Sequence, residues 1–114
     1  MRQKDPVSEL RRGALELALL AFLDNEPSFG AAIMSGLAEV TDGGLVLTEG
    51  ALYPALGRLE KKGVLVADWR KDVAGQRARK YYTLTATGKE RLSSLRDAWK
   101  QLASGMQRLF GDED

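Results

Sequence analysis

The side chains that most enzymes use for proton transfer and nucleophilic attack are scarce in this chain of 114 residues. It contains no histidine and no cysteine. This excludes disulfide bonds, zinc sites built on those residues, and Ser-His-Asp or Cys-His mechanisms. Carboxylates cluster only at the C-terminus, in Asp112-Glu113-Asp114, and no glycine-rich phosphate loop is present. We therefore expect no enzymatic activity, no cofactor and no metal.

Basic residues are concentrated in one segment. Between Thr48 and Lys80, eight basic residues, Arg58 among them, accompany four acidic ones, which gives a local charge of +4 in a chain whose net charge is +1. Such an excess can contact nucleic-acid phosphates, although runs of charge are usually solvated surface. The structural elements that carry these residues decide between the two interpretations.

The segment from Thr48 to Gly63 has the pattern of a helix marked at both ends. Thr48 is a suitable N-cap and Gly63 a suitable C-cap. Its inward positions recur at helical spacing: Leu52, Leu56 and Leu59. Pro54 is unexpected, because an interior proline costs about 3 kcal/mol. It either shapes the start of a docking helix beside the Tyr53 hydroxyl, which can donate to phosphate, or it only kinks a packed helix.

Two further helices are predicted before this segment. Ser8 can cap a first helix that ends at about Leu23. Apolar residues cover nearly its whole circumference, so it is either central to the core or covered by a second chain. Ser28 can cap a second helix, from Phe29 to about Val40.

The apolar period changes from helical to two after Gly63. Residues 65–70 and 80–85 are predicted to form an antiparallel hairpin, joined by a basic loop that contains Gly75. Residues 45–47 are predicted to form a brief strand. Three basic residues of the hairpin, Arg77, Arg79 and Lys80, could straddle a minor groove or clamp phosphates, or could belong to an ordinary solvated turn.

A long helix follows, opened by Thr85 or Thr87. From Gly88 to Phe110 it would measure about 34 Å, more than a small domain can cover. Its apolar residues form a heptad seam: Leu92, Leu95, Trp99, Leu102, Met106 and Leu109. The simplest explanation is that a second copy of the chain covers this apolar seam, although packing of the seam against the first helix is compatible with the pattern. We expect dimer contacts at Leu15, Leu92, Leu95, Trp99, Leu102 and Met106.

The order of elements predicts a mainly α protein with a small β-hairpin, arranged as a winged helix-turn-helix with a long C-terminal dimerisation helix. Residues 1–86 would bind DNA, and residues 87–114 would dimerise and carry the acidic tail. In this fold the second helix of the pair enters the major groove. A twofold dimer would bind a pseudo-palindromic operator with half-sites about 10 base pairs apart.

Two other classes of function are alternatives to DNA binding. A winged helix whose wing binds protein is the main alternative, and steep salt dependence would separate DNA binding from it. An enzyme is the more remote one. We expect a soluble, cytoplasmic protein without membrane contact, because the longest apolar run, Ala14 to Leu23, cannot span a bilayer and the N-terminus lacks an apolar signal core.

Several motifs together resemble one known family. They are Leu10–Leu23, Phe29-Gly30, Thr48–Glu60 with Gly63, Gly75 with Arg77–Thr85, and Gly88. The most specific are Leu52-Tyr53-Pro54 and Arg79-Lys80-Tyr81-Tyr82. From about Leu10 to Trp99, the chain resembles the PadR family of transcriptional regulators, in the short form with a single C-terminal helix.

The resemblance implies a bacterial dimeric repressor that often controls genes next to its own, and several members respond to phenolic or lipophilic compounds. Trp99 matches the tryptophan that multidrug sensors of the family use at the dimer centre, so it could bind a flat aromatic effector or only pack in the dimer. By position, the implied DNA contacts are Thr48, Gly50, Ala51, Tyr53 and Pro54 in the major groove and Gly75, Arg77, Arg79 and Lys80 in the wing. Arg58 is added because it belongs to the same basic segment. The chain departs from the family pattern at Ala31-Ala32 and Gly57.

Overall fold

A computed structural model describes residues 6–71 and 77–111 of the chain. Four helices and three strands are found in these two ranges. Their bounds are α1 Pro6–Leu23, β1 Ser28–Phe29, α2 Gly30–Val40, α3 Glu49–Lys61, β2 Leu65–Lys71, β3 Ala78–Leu84 and α4 Ala86–Phe110. The strands form one antiparallel sheet in the order β1-β3-β2.

The core lies between α1, α2, α3 and the inner face of the sheet. Its largest fully buried side chains are Leu19, Leu20, Ile33, Leu52, Leu56 and Leu65. The C-terminal half of α1 is therefore central to the core, as one of the two interpretations required. Leu10, in the N-terminal half of α1, is 79% exposed.

The N-cap of α3 and the predicted hairpin are confirmed, and the C-cap of α3 is Lys62, one residue before the predicted Gly63. Thr48 caps α3, because its Oγ1 accepts a hydrogen bond from the Ala51 N–H at 3.2 Å. Gly63 follows the C-cap with a φ of 80°, a left-handed conformation that favours glycine. The hairpin pairs β2 and β3 from Leu65↔Leu84 to Lys71↔Ala78.

Both predicted serine caps are wrong. The first helix begins at Pro6, where the missing N–H of proline costs nothing, so Ser8 lies inside it. Ser28 lies in β1, buried and opposite Tyr82, and the N-cap of α2 is Phe29, which makes no side-chain cap. A pairing partner 54 residues away in the sequence overrides the local preference of Ser28 for a cap.

The predicted strand at residues 45–47 is also wrong, because this segment is a linker that pairs with none of the three strands. The Leu45 N–H donates to Thr41 Oγ1 at 2.9 Å, and the Arg11 guanidinium donates to the Val46 carbonyl at 2.8 Å. Leu47 is buried in the core. Side chains thus form the hydrogen bonds to these backbone groups that a neighbouring strand would otherwise form.

Helix α4 is attached to the core at its beginning. Its N-cap is Thr85, whose Oγ1 accepts from the Gly88 N–H at 3.0 Å and donates to the Gly63 carbonyl at 2.7 Å. Gly88 permits this close approach, since a Cβ there would lie 2.8 Å from a Leu84 methyl and would overlap the Val64 carbonyl. The far end of α4 extends away, and the radius of gyration is 15.8 Å, against about 13 Å for a compact chain of this length.

Candidate nucleic-acid interface

The outward face of α3, with its N-cap, carries half of the residues predicted to contact DNA. Thr48, Gly50, Tyr53 and Pro54 are exposed, and Ala51 is half-buried beneath the Thr48 cap. Buried side chains of the opposite face fix the helix against the core: Leu52, Ala55, Leu56 and Leu59. The first two turns therefore present a ridge of small or polar-tipped residues to solvent.

Pro54 is the sixth residue of α3, so its missing N–H would have bonded the carbonyl of Gly50. The Pro54 ring is exposed and is not part of the core. This location disfavours the interpretation of Pro54 as a packing kink. It places a rigid apolar surface on the ridge, directly beside Tyr53.

Tyr53 extends from α3 to the beginning of α2. A Cβ at Gly30 would lie 2.6 Å from the Tyr53 Cζ, so only glycine leaves room for this ring. The side chain stays 45% exposed. The Phe29-Gly30 pair, noted from sequence only as part of a resemblance, thus positions the aromatic ring predicted to contact DNA.

The outer face of the sheet is a row of stacked cations and rings. The Arg79 guanidinium lies 4.4 Å from the centroid of the Phe29 ring, and that of Arg70 lies 5.1 Å from the centroid of Tyr81. Phe29 and Tyr81 meet edge to face with centroids 5.3 Å apart. Each cation–π contact contributes about 0.5–1 kcal/mol at an exposed site. The row therefore restrains the direction of Arg79.

Lys80 lies on the inner face and joins the wing to α3. Its Nζ is 3.6 Å from Glu60 Oε1 and 5.6 Å from the centroid of the Tyr82 ring. Burial raises the pKa of the Tyr82 hydroxyl above its ordinary value. The Lys80 charge is partly neutralised, which makes it a weaker phosphate contact than Arg77 or Arg79.

A groove of about 440 Å³ opens between α3, the beginning of α2 and the wing; we call it the α3–wing groove. Its lining includes Tyr53, Trp69, Arg77, Arg79, Lys80 and Tyr82. No carboxylate belongs to the described residues that line it.

The fold brings four predicted contacts together in this groove, namely Tyr53 and the three wing cations. It adds Trp69, which the sequence analysis did not select. The period-two pattern of β2 places Trp69 on the buried face of the strand. Only its exposure in the structure indicates a contact with another molecule.

One predicted DNA contact lies away from both the ridge of α3 and the α3–wing groove. Arg58 lies on the other side of α3, where it lines a separate groove of about 220 Å³ with Arg12 and Lys62. The prediction for Gly75 concerns a position outside the described residues.

The seam of α4 is divided between the core and the surface. Leu92 is buried within the chain, and Leu95 packs partly against the same core. The later residues are exposed: Trp99 at 51%, Leu102 at 59% and Met106 at 38%. Leu15 packs half-buried against the core from α1. Trp99, Leu102 and Met106, which we call the distal seam, are thus the most exposed of the predicted dimer contacts.

A second ion pair connects α1 to the beginning of α4. Arg91 donates to Glu16 through Nε at 3.0 Å and through Nη2 at 3.3 Å. The hydrogen bond from Arg91 is the main reason why the pKa of Glu16 lies below its ordinary value. Sequence reasoning missed this pair, because its partners are 75 residues apart.

A helix pair beside a three-stranded antiparallel sheet, with a basic hairpin next to the second helix, defines a winged helix-turn-helix DNA-binding protein. None of the helices in residues 6–71 and 77–111 has both the length and the apolar character to cross a membrane.

Comparison with known proteins specifies the family. Residues 19–94 match the PadR-like family of transcriptional regulators, and the chain belongs to this family. Transcriptional regulator Rv3488 of Mycobacterium tuberculosis is 35% identical over 95 residues, which cover 83% of this chain and 84% of that protein. A PadR family transcriptional regulator from Eggerthella lenta has 34% identity and a TM-score of 0.75, with 95% of this chain and 90% of that chain covered. A PadR-like transcriptional regulator from Bacillus cereus superposes with a TM-score of 0.81 at 25% identity, over 92% of this chain and 99% of that one. The protein is therefore a DNA-binding transcriptional regulator, as the resemblance implied.

Proposed function

We propose that this protein is a homodimeric repressor that binds a pseudo-palindromic operator, with α3 in the major groove and the wing on the adjacent backbone. Residues 1–86 bind DNA in this proposal and residues 87–114 dimerise, with the beginning of α4 anchored in the core through Leu92. The observation that carries DNA binding is the α3–wing groove, which is lined by three cations and by no carboxylate among the described residues. A polyanion is the partner that such a surface attracts.

The distal seam of α4 supports the dimer. Trp99, Leu102 and Met106 repeat at heptad spacing and remain exposed on a helix that extends beyond the core. The same stripe on a second copy would cover them, and such an isologous contact also gives the twofold symmetry that a pseudo-palindrome requires.

Repression and release by an effector rest on the resemblance to the family. A repressor of its own gene or of adjacent genes is the simplest role for a short DNA-binding chain of this kind. Trp99, exposed in the middle of the seam, is the residue we assign to contact a flat aromatic or lipophilic effector. An effector bound there would change the angle between the two DNA-binding domains and so release the operator.

The test is fluorescence anisotropy of a labelled duplex taken from directly upstream of the gene, compared with a scrambled duplex, at about 50 and 200 mM salt. We expect selective binding to the first duplex, weakened by about 100-fold or more at the higher salt. Effector candidates can then be screened by loss of the bound signal.

Failure on both duplexes at low salt would contradict the proposal. The protein-binding alternative would then become the better account, since an apolar protein interface does not weaken steeply with salt. Equal binding to both duplexes would support DNA as the partner but would show that the chosen duplex is not the operator.

A further inference from the structure

Trp69 is the most exposed aromatic side chain of the described residues that line the α3–wing groove. It lies on the same face of β2 as Leu65, since both have register partners on the inner face of β3. Leu65 is 2% exposed and Trp69 is 68% exposed, because β2 continues past the edge of the core. A large apolar ring held in water beside a functional surface indicates a contact with another molecule.

The surroundings of Trp69 indicate the chemistry of that molecule. Tyr53 lines the same groove from α3, and Arg77 and Arg79 line it from the wing. The two aromatic residues present flat apolar surfaces, and each adds one donor, the tyrosine hydroxyl and the indole N–H. Flat apolar walls, neutral donors and cations together fit a chain of sugar rings joined by phosphates.

The docking geometry of the fold places such a chain at this location. With α3 in the major groove and the wing at the neighbouring minor groove, the strand that separates the two grooves must cross between α3 and the wing. We propose that the α3–wing groove holds one sugar-phosphate strand of the operator, with the Trp69 ring packed against a deoxyribose. This inference rests on the proposed DNA-binding function. Trp69 then contacts the sugar-phosphate backbone of the DNA, and such a contact carries no sequence information.

A matched pair of variants on β2 tests the assignment. Trp69→Ala removes the ring, while Val66→Ala trims a side chain that is 53% exposed on the opposite face, where its register partner is Thr83. Trp69→Ala should weaken operator and scrambled duplexes equally, by about tenfold. Its salt slope should match that of the wild type, because an indole carries no charge. Val66→Ala should stay within about twofold of the wild type.

A spectroscopic readout tests the contact without changing the affinity. The chain has two tryptophans, so wild-type protein labelled with 5-fluorotryptophan gives two fluorine resonances, which Trp69→Phe assigns. Operator DNA should shift or broaden the Trp69 resonance. Thermal unfolding checks that Trp69→Ala remains folded.

Each contrary result removes a different part of the account. Equal operator affinity of Trp69→Ala and wild type, with an unmoved Trp69 resonance, would overturn the contact while leaving DNA binding intact. A loss confined to the operator would indicate a base contact and overturn the backbone assignment. Loosened self-association in Trp69→Ala would assign the groove to a second copy. Failure of the wild type on every duplex would remove the proposed function and this inference together.

Discussion

The α3–wing groove and the distal seam of α4 both leave large side chains in water, but they differ in charge. The groove combines aromatic rings with three cations and no carboxylate among its described lining residues. The seam places Trp99, Leu102 and Met106 in one apolar stripe. Exposed apolar area alone therefore does not identify a partner; the charge around it does. A cationic surface selects a polyanion, and an apolar stripe selects another apolar stripe.

The largest effect is expected from a charge placed in the seam. Leu102→Asp should prevent self-association, because two carboxylates would be buried against each other. Operator affinity should fall by about 100-fold or more, since the two half-sites would no longer be bound by one linked molecule. Sedimentation velocity and anisotropy measure the two effects. The control is Gln101→Asp, on an adjacent residue outside the seam, and a wild-type dimer in Leu102→Asp would contradict the assignment.

Removing the wing cations should affect DNA binding and leave the dimer unchanged. Arg77→Ala with Arg79→Ala should weaken binding to every duplex by about tenfold or more, and the salt slope should flatten by about one for each phosphate that the variant no longer neutralises. Arg96→Ala removes an exposed charge from α4 and serves as the control. An unchanged slope in the double variant would show that the wing does not bind phosphates.

A smaller effect is expected where α2 meets Tyr53. A Cβ in Gly30→Ala overlaps the Tyr53 ring, which is exposed enough to swing away. Stability should change little, while operator affinity should fall several-fold because the ring leaves the groove. Gly13→Ala, whose Cβ meets nothing within 4 Å in α1, should leave affinity unchanged and raise stability by up to about 1 kcal/mol. Unaltered binding by Gly30→Ala would remove Tyr53 from the interface.

The smallest effect is expected at the ion pair between Glu16 of α1 and Arg91 at the beginning of α4. The pKa of Glu16 is lowered from 4.5 in the folded state, so its stabilisation is present above that pH and is lost as pH falls through the folded value. Glu16→Gln should reduce the free energy of unfolding at pH 7 by at most about 1 kcal/mol, as both partners are partly exposed. Denaturant unfolding should show the difference between the two proteins shrinking below pH 4.5; a difference independent of pH would contradict this.

Local sequence patterns predicted the elements whose stability is local. The Thr48 cap, the leucine spacing of α3 and the period-two hairpin all depend on near neighbours. Ser28 and the 45–47 segment were mispredicted for the opposite reason. Ser28 is decided by the pairing of β1 with a distant strand, and the Val46 carbonyl accepts a hydrogen bond from Arg11, 35 residues away. No window of adjacent residues contains these partners.

The candidate site shows the same division between local and distant contacts. The resemblance selected Tyr53 and the wing cations, which belong to compact motifs, and the structure places these residues around one groove. Arg58 was grouped with them by charge, although helical geometry turns it toward α1. Trp69 was missed for a different reason. The alternation of apolar residues in β2 predicts which face of the strand is buried, but it does not predict how far along the strand the core extends.

One salt series tests the central claim that the two surfaces bind different partners by different forces. The operator affinity and the dimer dissociation constant would be measured in the same buffers from about 50 to 500 mM salt. We expect the logarithm of operator affinity to fall with a slope of about −4 or steeper, as four or more phosphate contacts require, while the dimer constant stays within about twofold. Operator binding that does not respond to salt, or a dimer that weakens in parallel with it, would contradict the account.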